Sequence, residues 1–104
     1  MNLPIRGEIW LCDFGMVAKI RPALVLSVSF SDHDYALFHV VPHATAVRGS
    51  QFKVAIPLPF LERGVFDIQG SQSVPRNWLA RRLETLTPHQ LASIEESFRP
   101  WLQL

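Results

Sequence analysis

Two apolar segments near the N-terminus, separated by a short gap, constrain the fold of this chain more than any other feature. Residues 5–14 alternate their apolar side chains between two faces, as a half-buried strand does. Residues 23–30 form a near-continuous apolar run that is typical of a central strand. Arg21 stands directly before Pro22, which opens the second segment. The two segments predict the start of a small twisted barrel. Arg21 places a cationic guanidinium at the mouth of this barrel, where a phosphate can reach it.

Further short strands are indicated by apolar runs between turn-forming residues. A third strand is predicted to end at Pro42, because proline cannot donate to a strand ladder. A polar loop follows over 43–50, and residues 75–80 resemble a single helical turn. The third strand is predicted over 35–41. The strands after it are predicted over 51–57, 65–68, 72–74 and 82–86.

The clearest helix is the last element. Thr87 is the predicted N-cap, Pro88 takes the first helical position, and Gln90 completes a capping box. An apolar stripe at helical spacing follows, made of Leu91, Ile94, Phe98 and Trp101. The pattern predicts a mainly β fold, a small barrel with a C-terminal helix and one or two short helical turns, in a single domain over 1–104.

Composition narrows the classes of function. The formal net charge of +1 argues against a protein that holds nucleic acid by bulk electrostatics. Ten residues are basic and only two of them are lysine, which favours local, bidentate phosphate recognition by arginine. Cys12 is the one cysteine, so no intrachain disulfide can form, and we expect it to be a buried apolar residue. With neither a secretory signal nor an apolar run of about 20 residues, we expect a cytoplasmic protein with no membrane partner.

The histidines do not indicate a metal site. All four lack the usual ligand spacings, and the chain has no glycine-rich phosphate loop and no nucleophile elbow. No metal and no cofactor are therefore expected. Phosphodiester chemistry on RNA remains possible, because the substrate supplies its own 2′-hydroxyl nucleophile. The protein then has to move protons and stabilise the charge on the phosphorane.

The N-terminal third resembles the MazF/PemK family of toxin endoribonucleases. The resemblance is carried by Gly7-Glu8-Ile9-Trp10 in the first strand and by Arg21-Pro22-Ala23-Leu24-Val25-Leu26 in the second. It implies an SH3-like barrel of the MazF/PemK/CcdB type, usually a homodimer. It also implies metal-independent, sequence-specific cleavage of single-stranded RNA, leaving a 2′,3′-cyclic phosphate, and control by a cognate antitoxin.

The resemblance also points to catalytic residues. Arg21 matches the central catalytic arginine of the family, and the alternative for it is a structural ion pair with Asp13 or Glu8. Ala44 stands where the family carries a catalytic hydroxyl, so Thr45, one residue later, is the candidate substitute. His43 is the candidate for acid–base function, which its reference pKa suits.

A second group of residues is predicted to bind RNA. The first loop is reduced to residues 15–20, and Lys19 is its cation. Several basic residues could form a phosphate track, although a solvated surface charge is the alternative for each. The predicted RNA-binding residues are Lys19, Arg48, Gln69, Gln72 and Arg76.

Two functions from different classes fit these observations. The first is the toxin ribonuclease. The second keeps the fold without the chemistry: a catalytically weak member that binds RNA or protein, as in CcdB-like inhibition of a target. Ala44 and the shortened first loop motivate the second. The sequence leaves open the cleavage sequence, the identity of the antitoxin and the oligomeric state.

Overall fold

The computed structural model describes residues 3–15, 19–45, 49–61 and 63–104. Within them, seven strands form one antiparallel sheet in the order β4-β5-β3-β2-β1-β7, and β6 pairs with β3 outside this path. The strands are β1 (Glu8–Asp13), β2 (Ile20–Val25), β3 (Leu37–Ala44), β4 (Lys53–Val54), β5 (Val65–Asp67), β6 (Gln72–Pro75) and β7 (Leu79–Thr85). Helix α1 (Pro88–Leu102) follows, and two short 3-10 turns cover Ile68–Gly70 and Arg76–Trp78.

The predicted architecture is confirmed: the fold is mainly β with a C-terminal helix and two short helical turns. The barrel is an open one. Strands β4 and β7 stand at the two ends of the order, and the described residues record no ladder between them. β3 is the branching strand, because one of its edges pairs with β6 in its first half and with β5 at its end.

Apolar residues on both faces of the sheet are buried, and they form two cores. The period of two along each strand sends alternate side chains to opposite faces. Ile9 and Leu24 belong to the core under α1, while Trp10 and Ala23 belong to the core on the other face. Cys12 is fully buried in that second core, as expected, and burial raises the pKa of its thiol to about 12, with a further contribution from Asp13.

Helix α1 begins where its sequence predicts. The Thr87 hydroxyl accepts from the Gln90 N–H at 3.1 Å, and the Gln90 side chain accepts from the Thr87 N–H at 2.9 Å. Ile94 and Phe98 are buried against the sheet. Trp101 is the exception in the predicted stripe: it is 41% exposed and packs beside Phe52 with ring centroids 5.1 Å apart.

Two strand predictions near the candidate site are wrong. The second strand begins at Ile20 and ends at Val25, short of the predicted residue 30. Backbone pairing continues for one residue, since the Leu26 N–H donates to the His39 carbonyl at 2.9 Å. The return bond goes to a side chain: the Ser27 hydroxyl accepts from the His39 N–H at 2.9 Å, and the segment beyond Leu26 leaves the ladder.

Strand β3 does not end at Pro42 but continues through it to Ala44. Pro42 is in register with Ala23 of β2. On its opposite edge, the β6 ladder stops at Val40 and the β5 ladder starts at His43. Pro42 lies between these two ladders, where the missing N–H breaks no pairing. The predicted polar loop over 43–50 is thus wrong at its first two residues.

Candidate active site

Arg21 lies at the beginning of β2, where it is the cross-strand partner of Cys12 in β1. Its side chain is half-buried. The chain is brought into β2 by Lys19, whose φ of 64° is left-handed. The Lys19 N–H donates to the Gly15 carbonyl at 2.7 Å, and its carbonyl accepts from the Phe14 N–H at 3.0 Å. These two bonds fix the end of the first loop, and with it the point where Arg21 enters the sheet.

Arg21 opens onto a cleft of about 280 Å³ at this end of the sheet. The cleft combines cationic, hydroxyl and imidazole side chains from the starts and ends of adjacent strands. Its described lining is Lys19, Ile20, Arg21, Pro22, His43, Thr45 and Leu61. All three predicted catalytic residues therefore meet in one cleft, together with one predicted RNA-binding residue.

His43 is a strand residue and not, as predicted, part of an exposed loop. It is 4% exposed, and its ring meets Phe66 of β5 edge-on, with centroids 5.1 Å apart. Burial lowers the pKa of His43 below its ordinary value of 6.5, because a charged imidazolium loses hydration there. The neutral ring is therefore favoured at neutral pH, and a neutral imidazole can accept a proton.

Gly64 is a residue that the sequence analysis missed. Its φ of 104° is left-handed, and a Cβ there would collide with the carbonyl oxygen of Ala44 and lie 2.6 Å from Cε1 of His43. The backbone before β5 thus passes so close to the end of β3 that only glycine fits. The signal in the sequence was a glycine just before an apolar strand, which by itself reads as an ordinary turn residue.

Thr45, the candidate substitute for the missing hydroxyl, lies just beyond the end of β3. Ala44 is the last residue of β3 and is paired with Val65. Thr45 follows directly, is exposed, and lines the cleft. The one-residue displacement of the hydroxyl therefore falls at the strand end, where it does not reverse the faces of a paired strand.

Three of the other predicted RNA-binding residues lie outside the described lining of the cleft. Gln69 is exposed in the first 3-10 turn, and Gln72 is exposed at the start of β6. Arg76 is engaged in the fold: its Nη1 donates to the Leu79 carbonyl at 2.6 Å, and its guanidinium lies 5.2 Å from the Trp10 ring centroid. Arg48 lies outside the described residues. The described lining of the cleft thus includes Lys19 and none of Gln69, Gln72 or Arg76.

Two further cations are paired with carboxylates. Lys53 Nζ lies 3.5 Å from Asp67 Oδ1, and Arg82 Nη1 lies 3.2 Å from Glu8 Oε2. Glu8, one of the two carboxylates considered as a structural partner for Arg21, is thus bound to Arg82. Lys53 and Arg82 are therefore poorer candidates for the predicted phosphate track, because these carboxylates already neutralise part of their charge.

A larger cavity of about 360 Å³ lies at the opposite end of the β2–β3 pair. It is lined by apolar residues and by charged residues that are paired: Arg6 Nη2 lies 2.6 Å from Glu95 Oε2, and Arg99 Nε lies 3.5 Å from Glu96 Oε1. Its lining is Arg6, Leu26, His39, Glu95, Phe98, Arg99, Leu102 and Leu104. Because its guanidinium groups face carboxylates, this cavity is a poor site for a phosphate.

The described residues lack both a cluster of metal-binding side chains and a membrane-spanning helix. Over 3–15, 19–45, 49–61 and 63–104, no three His, Cys, Asp or Glu side chains come together as a possible metal site. In the same part of the chain, no helix is long and apolar enough to cross a membrane.

Sequence comparison assigns the chain to a family. A model of the PemK-like, MazF-like toxins of type II toxin–antitoxin systems matches residues 5–102, and the chain belongs to this family. It is 29% identical over 97 residues to the probable endoribonuclease MazF5 of Mycobacterium tuberculosis, covering 88% of this chain and 86% of that protein.

Solved structures agree on the fold. MazF from Deinococcus radiodurans superposes with a TM-score of 0.82 at 23% identity, over 100% of both chains. A mycobacterial endoribonuclease in complex with its cognate antitoxin superposes with a TM-score of 0.79 at 23% identity, over 100% of this chain and 97% of the other. The fold of the family therefore accounts for the whole described chain.

Proposed function

We propose that this protein is a toxin endoribonuclease that cleaves single-stranded RNA at short sequences without a metal ion. One observation carries the proposal: Arg21 lies in the same cleft as Thr45 and His43. Membership of the MazF-like toxin family and the relative named as a probable endoribonuclease support it. The binding-only alternative rested on Ala44 and on the shortened first loop, and the position of Thr45 in the cleft weakens the first of these two arguments.

The reaction needs only groups that the RNA and the cleft possess. The ribose 2′-oxygen bonds to phosphorus, and the bond from phosphorus to the 5′-oxygen of the next nucleotide breaks. The 2′-hydroxyl loses a proton and the leaving 5′-oxygen gains one, so no further reactant is consumed. The products are a 2′,3′-cyclic phosphate and a 5′-hydroxyl.

Each side chain has a distinct part in this proposal. The neutral His43 ring accepts the proton of the 2′-hydroxyl, and its lowered pKa keeps the ring in the neutral form at neutral pH. Arg21 donates hydrogen bonds to the phosphorane oxygens, where negative charge develops in the transition state. The Thr45 hydroxyl donates a further hydrogen bond to this charge.

Substrate binding would be local. A cleft of this size can take a phosphate with its ribose, and Lys19 adds a second cation at the rim. Single-stranded RNA fits because its bases can be splayed out and read separately. Gln69, Gln72 and Arg48 remain predicted RNA-binding residues. They are predicted to contact nucleotides beyond the one bound in the cleft.

The proposed partners follow from the family. We propose a homodimer that is held inactive by a cognate antitoxin, as toxin–antitoxin modules require. Among the similar structures are a MazE–MazF complex of Deinococcus radiodurans and the mycobacterial antitoxin complex. We place the protein in the cytoplasm because its proposed substrate, messenger RNA, is there.

The experiment is a cleavage assay on a long single-stranded RNA in the presence of EDTA, with the fragment ends mapped. The natural protein should give discrete fragments ending in a 2′,3′-cyclic phosphate, and Arg21→Ala should lose about a hundredfold or more of the rate. Arg99→Ala is the matched control, since it removes an exposed guanidinium at the other end of the β2–β3 pair. Intact RNA with the natural protein, or equal loss in both variants, would refute the proposal.

A further inference from the structure

A second cleft, of about 320 Å³, lies beside the end of β1. Its described lining is Asp13, Gly15, Asn77 and Trp78. These residues are distant in sequence but adjacent in space, because Leu79 at the start of β7 pairs with Cys12 near the end of β1. The pairing brings the 3-10 turn before β7 next to the Asp13 carboxylate.

The walls of this cleft are held in place by the fold. The bond from Arg76 Nη1 to the Leu79 carbonyl spans the turn that contains Asn77 and Trp78. The Arg76 guanidinium is itself stacked on the Trp10 ring. Arg76 was predicted to contact RNA. Its bond to the Leu79 carbonyl makes it a positioning residue, because this bond fixes Asn77 and Trp78, which lie between Arg76 and Leu79.

Polar atoms in the cleft remain available to a ligand. Asp13 is exposed, and its Oδ1 accepts from the Gly15 N–H at 2.9 Å, which orients the carboxylate. Each carboxylate oxygen can accept more than one hydrogen bond, so this bond leaves acceptor sites on both oxygens. Asn77 is exposed, and its amide makes no hydrogen bond to any described residue. Trp78 is half-buried against the core, so its ring is fixed, with part of it reachable from the cleft.

This set of groups matches the chemistry of one nucleobase. An aromatic ring stacks on a base, and side chains beside it read the base edge. A carboxylate only accepts hydrogen bonds, so it selects an edge with two adjacent donors. Guanine presents N1–H and the exocyclic N2 amino group in this way, with O6 beside them to accept from the Asn77 amide. Adenine, cytosine and uracil do not present two adjacent donors.

The position of this cleft links it to the Arg21 cleft. Asp13 lies directly across the β1–β2 pair from Ile20, which lines the Arg21 cleft. Paired residues in antiparallel strands have Cα atoms only about 4.5–5.5 Å apart. A strand of RNA with its phosphate beside Arg21 can therefore place a nearby base against Trp78.

We propose that Asp13, Asn77 and Trp78 form a guanine subsite that sets the sequence preference of the proposed ribonuclease. The inference rests on the proposed function for its biological meaning, but it can be tested by binding alone. Its probes are 2′-O-methyl pentauridines with one central guanosine, inosine or adenosine. Their blocked 2′-oxygens prevent cleavage, and the uridine background allows the single purine to find its subsite.

Fluorescence anisotropy gives the affinities. The natural protein should bind the guanosine probe at least about fivefold more tightly than the inosine probe, which lacks only the amino group. Asp13→Asn, which keeps an acceptor for the Gly15 N–H, should abolish this preference. Asp32→Asn is the control, because it removes the charge of an exposed loop carboxylate outside the cleft, and it should keep the preference. Asn77→Ala, at an exposed position, gives a second variant: it should weaken binding of the guanosine and inosine probes alike, because both carry O6, and should leave the affinity for the adenosine probe unchanged.

The outcomes separate the two proposals. Equal affinity of the natural protein for guanosine and inosine probes would overturn the subsite, whether or not RNA is cleaved. A preference that survives Asp13→Asn in a folded variant would overturn it as well. Guanosine-dependent binding that is lost in Asp13→Asn, in a protein that does not cleave RNA, would support the subsite and refute the nuclease alone.

Discussion

Gly64 determines how closely the segment before β5 can approach the end of β3. Its left-handed φ is costly for any other residue, and its hydrogen faces the Ala44 carbonyl and the His43 ring. His43 is thus held between the Gly64 backbone and the Phe66 ring. A residue with no chemistry of its own therefore fixes the position of a candidate proton acceptor.

Gly64→Ala should destabilise the protein by about 1–3 kcal/mol, through backbone strain and the collision with Ala44. Urea unfolding measures the change. Gly49→Ala is the control, because a Cβ at Gly49 meets nothing within 4 Å. Equal stability of the two variants would contradict the role given to Gly64.

Two histidines, the buried His43 and the half-buried His39, make the free energy of unfolding depend on pH. Burial lowers the pKa of His43 and of His39 below 6.5 in the folded chain, so the unfolded chain binds more protons as the pH falls. Their contribution is complete above pH 6.5 and is lost as the pH falls towards the folded pKa. The free energy of unfolding should decrease from pH 7.5 to 5.5, and His43→Asn should show a shallower decrease. A pH-independent free energy over this range would show that the rings are not protected.

At the residue scale, the position of a candidate residue could be predicted from the sequence better than the contacts that its side chain makes. Arg21 was predictable because its motif is local and its position before Pro22 is unambiguous. The burial of His43 was not, because it depends on Phe66 and Gly64, more than twenty residues away. The contact of Arg76 with the Trp10 ring was hidden for the same reason.

At the scale of elements, Glu8 connects β1 to its neighbours. It is 7% exposed, and its Oε1 accepts from the Ile5 N–H at 2.8 Å and from the Trp10 indole N–H at 3.1 Å. Its other oxygen accepts from Arg82 of β7. Burial alone would raise the pKa of Glu8, but the hydrogen bonds from Trp10, Ile5 and Arg82 outweigh it and hold the pKa below 4.5.

Glu8→Ala should therefore destabilise the fold by about 2 kcal/mol or more, because it leaves donors of Ile5 and Trp10 without an acceptor. Thermal and urea unfolding measure the loss. Glu96→Ala removes an exposed carboxylate of α1 and should change the stability by less than about 0.5 kcal/mol. A Glu8→Ala protein as stable as the Glu96→Ala protein would contradict this account.

Elements defined by local chemistry were predicted well. The start of α1 follows from its capping box, whose partners are three residues apart. The bounds of β2 and β3 were wrong because they depend on pairing: the Ser27 hydroxyl takes the place of a backbone acceptor for the His39 N–H, and β5 extends β3 past Pro42. A single sequence does not contain that information.

At the scale of the whole molecule, the candidate site is assembled where several segments meet. The end of the first loop and the start of β2 supply Lys19 and Arg21, the end of β3 supplies His43 and Thr45, and Leu61 comes from the connection before β5. The second cleft joins the end of β1 to the turn before β7. The mainly β class was predictable from strand patterns and the family resemblance, whereas this convergence required the sheet order.

The central claim is that the Arg21 cleft cuts RNA by using the substrate's own 2′-hydroxyl. The most direct measurement is single-turnover cleavage of a short RNA with one 2′-deoxynucleotide immediately 5′ of the mapped scissile phosphate. We predict that this substitution abolishes cleavage there, while a 2′-deoxynucleotide two positions away leaves cleavage at the mapped bond intact. Continued cleavage of the deoxy-substituted bond would contradict the account.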